Sequence, residues 1–74
     1  MEQFNTIVLF GQLADLMEAE AICLEKGYRY QIEPVPTWLT AGCGMCLALQ
    51  NVECPGLEVE LRKHAMQYRV ESRR

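Results

Sequence analysis

The sequence predicts an α+β fold, in which four strands and two helices follow one another in the order βαββαβ. Two stretches of helix-forming residues with apolar positions at helical spacing are each flanked by short β-branched or alternating stretches. Half of the 74 residues are apolar and 23% are charged, which is ordinary globular composition. Because so short a chain cannot bury two cores, we expect one domain over residues 1–74.

The first strand and helix are predicted from residues 6–26. Residues 6–10 are β-branched and aromatic up to Gly11, which indicates a buried strand. Residues 12–26 are mostly helix formers, and Gly27 provides the stop. Helical spacing puts one set of side chains on the predicted core face, flanked by two more. That face consists of Leu13, Met17, Glu20 and Leu24, with Leu16 and Cys23 beside it.

The second half of the chain supplies the remaining elements. Residues 28–33 alternate as a strand with one exposed face, and residues 34–36, Pro-Val-Pro, form an extended segment. Residues 45–50 alternate as a third strand, although residues 39–49 could instead form a helix. Pro55-Gly56 is expected to break the chain before a second amphipathic helix, which carries Leu57, Leu61, His64, Ala65 and Tyr68. Residues 69–71 are expected to form a short strand that closes the sheet. The order matches a ferredoxin-like two-layer sandwich, an antiparallel sheet with both helices on one face.

Charge and hydropathy exclude two classes of partner. The net charge is −3, and the basic excess of the second half comes from Arg69, Arg73 and Arg74. These arginines are expected to form a solvated tail or, alternatively, to bind an acidic partner. Such a small cluster predicts no nucleic-acid binding. Residues 1–5 are acidic and unlike a signal peptide, and no apolar run is long enough to span a bilayer. We therefore expect a cytoplasmic protein without a membrane partner.

The four cysteines carry the most informative pattern. In a reducing compartment they are expected to be thiols, metal ligands or redox groups; a secreted protein with two disulfides is the less favoured alternative. Gly42 and Gly44 flank Cys43, so the backbone can adopt positive φ and turn amides outward, which favours a thiolate. The predicted topology places this loop at the same end of the sheet as Gly11 and the N-terminus of the first helix, which is the positive end of the helix dipole.

The Cys43-Gly44-Met45-Cys46 motif makes Cys43 and Cys46 the candidate reactive thiols. In an extended strand their Cα atoms would lie about 10 Å apart, beyond the bridging limit of about 7 Å, so a disulfide requires a turn at Gly44. Because Cys54 is expected at the opposite end of the sheet, we predict no metal site that combines these cysteines, and no cofactor.

Other candidate residues have two interpretations each. Glu20 lies in the apolar stripe, either as a rim carboxylate or as a residue that positions the cysteine loop or receives a cation of a partner. Trp38 is a lid over the thiol or a plug for the sheet edge. His64 is a boundary histidine in preference to a metal ligand or a base. The sequence contains no phosphate loop and no Ser/His/Asp set, so an enzyme is not favoured.

Residues 34–44, PVPTWLTAGCG, resemble the signature of a small bacterial family of selenium/sulfur carrier-like proteins. The features shared with the family are the opening strand, an Ala-rich helix with Glu20 and, within this signature, the Pro-x-Pro segment and Cys43-Gly44. The chain departs from the family at Thr37 and Trp38, where a basic and an acidic residue are usual. The resemblance implies that Cys43 carries a persulfide or selenide.

Three functions follow, in order of preference. The first is a sulfur or selenium carrier in which Cys43 exchanges with donor and acceptor proteins, with Cys46 as a resolving thiol and Gly42, Gly44, Glu20 and Trp38 around the site. The second is an interaction module of ferredoxin-like shape with incidental cysteines, and the third is a small zinc protein. The sequence predicts no oligomeric state.

Overall fold

The computed structural model describes residues 3–40 and 42–73, and within them the predicted βαββαβ order is confirmed. Met1 and Glu2 of the acidic N-terminal segment, Ala41 and Arg74 lie outside the described residues. The elements are β1 (Thr6–Phe10), α1 (Leu13–Lys26), β2 (Tyr30–Pro34), β3 (Met45–Leu49), α2 (Cys54–Lys63) and β4 (Tyr68–Ser72). A short 3-10 turn, Asn51–Glu53, precedes α2. Neither described helix is long and apolar enough to cross a membrane.

The described strands form one four-stranded sheet in the order β2-β3-β1-β4, and every neighbouring pair is antiparallel. β1 and β2 therefore run in the same direction with β3 between them, which is the ferredoxin-like arrangement that the sequence predicted. Leu9 of β1 pairs with Cys46 of β3, and Phe10 pairs with Tyr68 of β4. The alternative of a helix over residues 39–49 is wrong, because β3 is a regular strand.

The core side of α1 differs from the predicted one. Leu16, Ala19 and Cys23 are the buried residues of α1, at positions i, i+3 and i+7. Leu13, Met17 and Leu24 are exposed to 54%, 60% and 66%. The predicted core face is therefore wrong for Leu13, Met17 and Leu24, because α1 turns the side of Leu16, Ala19 and Cys23 to the sheet instead.

The second helix begins earlier and ends earlier than predicted. Pro55 lies in the first turn of α2, where its missing N–H costs nothing, so the predicted break at Pro55-Gly56 is wrong. α2 ends at Lys63, and Ala65 adopts a left-handed φ of 55° that stops the helix. His64 lies in the closing turn, with Nδ1 3.0 Å from a Glu18 carboxylate oxygen of α1.

The loop between β2 and β3 covers the sheet face that lacks helices. Val8 and Phe10 of β1 pack with residues of both helices, whereas Ile7 and Leu9 point to the opposite face. There Ile7, Leu9 and Cys46 form a second apolar cluster, against which the loop residues Val35, Trp38 and Leu39 pack. The loop that carries the candidate thiol is therefore also part of the fold's packing.

Candidate functional site

Backbone hydrogen bonds fix the loop that carries the candidate thiol, here called the cysteine loop (residues 35–44). The Val35 amide donates to the Gly44 carbonyl at 3.1 Å, which extends the β2–β3 pairing into the loop. The Leu39 amide donates to the Pro36 carbonyl at 3.0 Å. From β4, the Arg69 guanidinium donates to the Thr40 carbonyl at 2.8 Å. The loop is thus held at its base and along its length.

The two glycines beside Cys43 are required for different reasons. Gly44 has a φ of +77°, a left-handed conformation that glycine adopts without strain. Gly42 is needed because a Cβ there would lie 2.6 Å from the Gly11 carbonyl oxygen, a backbone atom that cannot move aside. This approach places the loop where β1 ends and α1 begins, as the predicted topology required.

Cys43 is half-buried and packs against the helix-side core cluster. Its Sγ donates a hydrogen bond to the Met45 carbonyl, with a sulfur-to-oxygen distance of 2.9 Å. A thiol in this contact carries its proton. To act as a nucleophile, the Cys43 side chain must therefore rotate away from that carbonyl and lose the proton.

The other three cysteines are buried, with exposed fractions of 0% for Cys23 and Cys46 and 5% for Cys54. Burial, followed by the charges of Glu53 and Glu20, raises the pKa of Cys23 to about 11. Burial also raises the pKa of Cys46 and of Cys54 to about 11 each. These thiols are protonated at neutral pH and shielded from reagents.

The CxxC cysteines pack on opposite faces of the sheet. Cys43 contacts the helix-side cluster, whereas Cys46 belongs to the cluster beneath the cysteine loop. The Cys46 thiol donates weakly to the Pro34 carbonyl at 3.8 Å. All four cysteines, each within the described residues, are free thiols. A Cys43–Cys46 bridge would require Cys43 to leave its own cluster.

Glu20 and Trp38, the other predicted site residues, have defined contacts. Glu20 is half-buried and accepts a 2.8 Å hydrogen bond from the Tyr30 hydroxyl of β2, which raises the pKa of Tyr30. Glu20 thus joins α1 to β2, while its charge acts on Cys23. Trp38 lies over the open sheet face and packs against the cluster that contains Cys46.

Arg69 and Arg73 make contacts that the sequence did not predict. Besides the bond from Arg69 to Thr40, the Arg73 guanidinium donates to the Phe4 carbonyl at 3.0 Å and pairs with Glu33 at 2.7 Å. Both arginines are therefore structural contacts rather than a solvated tail. The period-2 spacing of 69, 71 and 73 was the available signal, because it places Arg69, Glu71 and Arg73 on one side of a strand.

Across residues 3–40 and 42–73, no three His, Cys, Asp or Glu side chains lie close enough together to hold a metal ion. Cys54 begins α2 at the end of the sheet opposite Gly42, since β3 runs away from the cysteine loop for its whole length. The described residues therefore offer no cluster for the zinc alternative.

Together these features define a ferredoxin-like α+β protein with one accessible cysteine on a glycine-flanked loop at the end of its sheet. Comparison with family models refines this class. Residues 5–70 match the model described as "Putative Se/S carrier protein-like", so the chain belongs to that family. Neither the curated proteins nor the solved structures contain a significant match to the chain.

Proposed function

We propose that the chain carries a sulfur or selenium atom on Cys43, as a persulfide or selenide, between a donor and an acceptor protein. The observation that supports this proposal is the contrast among the four cysteines. Cys43 alone is not fully buried, whereas the other three are enclosed in the core with pKa values of about 11. The family description agrees with such a role.

The chemistry requires one thiol. After losing its proton to solvent, Cys43 attacks the outer sulfur of a donor persulfide; a new S–S bond forms, and the donor thiolate leaves with the electron pair of the bond that breaks. The acceptor's thiolate repeats the same exchange at the outer sulfur on Cys43. A reducing cytoplasm, the compartment that we propose, would keep Cys43 free for loading.

We propose that Cys46 is a structural residue in this cycle rather than a resolving thiol. Its side chain belongs to the apolar cluster against which Trp38 packs, on the other sheet face, and burial together with the charge of Glu33 raises its pKa. Gly42 and Gly44 shape the loop, Trp38 anchors it, and Glu20 fastens α1 to the edge strand.

The experiment is to express the chain in cells grown with sulfide or with selenite, purify it without reductant, and map adducts on its peptides by mass spectrometry. We expect an added sulfur or selenium on Cys43, lost in Cys43→Ala and kept in Cys54→Ala, the matched control. Trp38 fluorescence checks that both variants are folded. An adduct-free Cys43 under both growth conditions would overturn the proposal.

Reagent accessibility gives an independent test. With limiting iodoacetamide at neutral pH, Cys43 is expected to alkylate faster than the three buried cysteines, and in denaturant the four should react alike. The order follows from burial, because a shielded and protonated thiol reacts only after local opening. Protection of Cys43 equal to that of Cys54 would refute a carrier mechanism.

A second candidate function is a protein-interaction module, and a specific observation favours it. Leu13, Met17 and Leu24 form an exposed apolar stripe along α1. Contiguous exposed apolar surface of this kind often marks a site of protein–protein contact. The two functions separate at Cys43, because an interaction module would keep its binding partner in Cys43→Ala and would carry no adduct.

A further inference from the structure

A shallow groove of about 610 Å³ lies beside the cysteine loop, between the end of β1 and the start of β4. Its size falls within the range of small-molecule sites, about 300–1,000 Å³. Backbone and apolar groups form much of the lining, together with an amide and a guanidinium side chain. The lining includes Leu9, Phe10, Gly11, Gly42, Gln67 and Arg69.

The charge that lines the groove is positive. Arg69 is the cationic residue among its described lining residues, and none of these is Asp or Glu. Arg69 donates to the Thr40 carbonyl through Nη2, and its Nε lies 3.4 Å from a Glu71 carboxylate oxygen. The Glu71 carboxylate offsets part of this positive charge, but Glu71 does not line the groove. An anionic ligand is thus favoured over a cationic one.

The groove adjoins the candidate thiol through two residues. Gly42 lines the groove and precedes Cys43 in the chain. Phe10 also lines the groove, and it belongs to the core cluster against which Cys43 packs. The groove and Cys43 therefore lie at the same end of the sheet, joined by Gly42 in the chain and by Phe10 in the core.

We propose, on the basis of the carrier function of Cys43, that this groove binds the carboxylate-bearing body of a small thiol persulfide, so that Cys43 can be loaded directly by a small molecule as well as by a protein. In the step, deprotonated Cys43 attacks the outer sulfur of R–S–SH. The new bond is Cys43 S–SH, the R–S bond to that sulfur breaks, and R–S⁻ leaves with the electron pair. The outer sulfur keeps its proton, and no oxidant is consumed.

The test compares two reagents with the same reactive group and opposite charge. Glutathione persulfide bears two carboxylates and one ammonium group, whereas cysteamine persulfide bears an ammonium group alone. The full chain is mixed with each, the product is trapped by alkylation, and the initial rate at Cys43 is read by peptide mapping. The ratio of the two rates is the observable, because it cancels any change in the reactivity of Cys43 itself.

Three variants locate the effect. Arg69→Gln is expected to lower the glutathione-to-cysteamine rate ratio about tenfold, the loss typical of one charge-assisted hydrogen bond. Gln67→Glu, which adds a carboxylate without touching the Arg69–Thr40 bond, should lower the ratio as well. Lys63→Gln removes an equal charge on α2, outside the groove, and should leave the ratio unchanged.

The outcomes separate this proposal from the one on which it rests. A ratio that is the same in the wild type, Arg69→Gln and Gln67→Glu would overturn the groove as a ligand site, while persulfide on Cys43 would still support the carrier. A fall of the ratio in Lys63→Gln equal to that in Arg69→Gln would also overturn the groove, since net charge would then explain it. Absence of sulfur on Cys43 with both reagents would refute both proposals.

Discussion

Substitution of Gly42 by alanine tests the position of the cysteine loop most directly. The added methyl group would lie 2.6 Å from the Gly11 carbonyl oxygen and 3.4 Å from its carbonyl carbon. The obstacle is backbone rather than a movable side chain, and Gly11 follows directly on the central strand β1, paired on both sides. The cysteine loop, rather than Gly11, must therefore move.

The size of the effect follows from that distance. Carbon and oxygen atoms approach to about 3.3 Å, so the loop must move by about 0.7 Å. Overpacking of this kind costs about 1–3 kcal/mol of unfolding free energy. For a chain of this length, each kcal/mol lowers Tm by about 4–8 °C.

Urea denaturation followed by the fluorescence of Trp38, the chain's one tryptophan, measures both stability and the loop. Gly11→Ala is the matched control, because a Cβ on Gly11 would meet no atom within 4 Å. We expect the control to stay within about 0.5 kcal/mol of the wild type. Equal stability of Gly42→Ala and Gly11→Ala would refute the close approach of the loop to β1.

Three further predictions concern packing and pH. Burial raises the pKa of each enclosed thiol from 9.0 to about 11. The contribution of these thiols to the free energy of unfolding is therefore complete below pH 9 and is lost as the pH rises to 11. Urea midpoints that do not fall over this range would contradict the burial. Trp38→Ala should uncover Cys46, so that its iodoacetamide labelling in the folded protein rises at least several-fold, whereas Trp38→Phe should preserve protection; unchanged labelling would exclude Trp38 as the cover. Tyr30→Phe should lose about 1 kcal/mol with its bond to Glu20, measured by urea denaturation, and a neutral result would mean that solvent replaces the bond.

The order of the elements could be predicted because each element depends on short-range signals. The β-branched run before Gly11, the helix formers before Gly27 and the alternation in residues 45–49 each specify one element. The buried side of α1 could not be read in the same way. Larger apolar residues dominate a hydropathy pattern, yet packing selected the side of Ala19, and Glu20 within the predicted stripe was the available warning.

At the site, the sequence indicated Cys43 but not what surrounds it. Local glycines predicted a special loop, and topology predicted its end of the sheet. The separation of Cys43 from Cys46 by the sheet depends on where the strand begins, and a CxxC pattern does not show this. The contact from Arg69 to Thr40 spans 29 residues, so it follows from the strand order β1-β4 and not from any local motif.

The pairing of the first and last described segments has a consequence for protein engineering. The Arg73 amide donates to the Asn5 carbonyl at 2.7 Å, so both ends of the described chain emerge side by side. They lie at the start of β1, about 17 Å along the strand from the end that carries the cysteine loop. A tag or fused domain at either end would leave Cys43 unobstructed. A flexible linker of about ten residues, which spans about 18 Å, would let a fused sulfur donor reach that thiol at an effective concentration in the millimolar range.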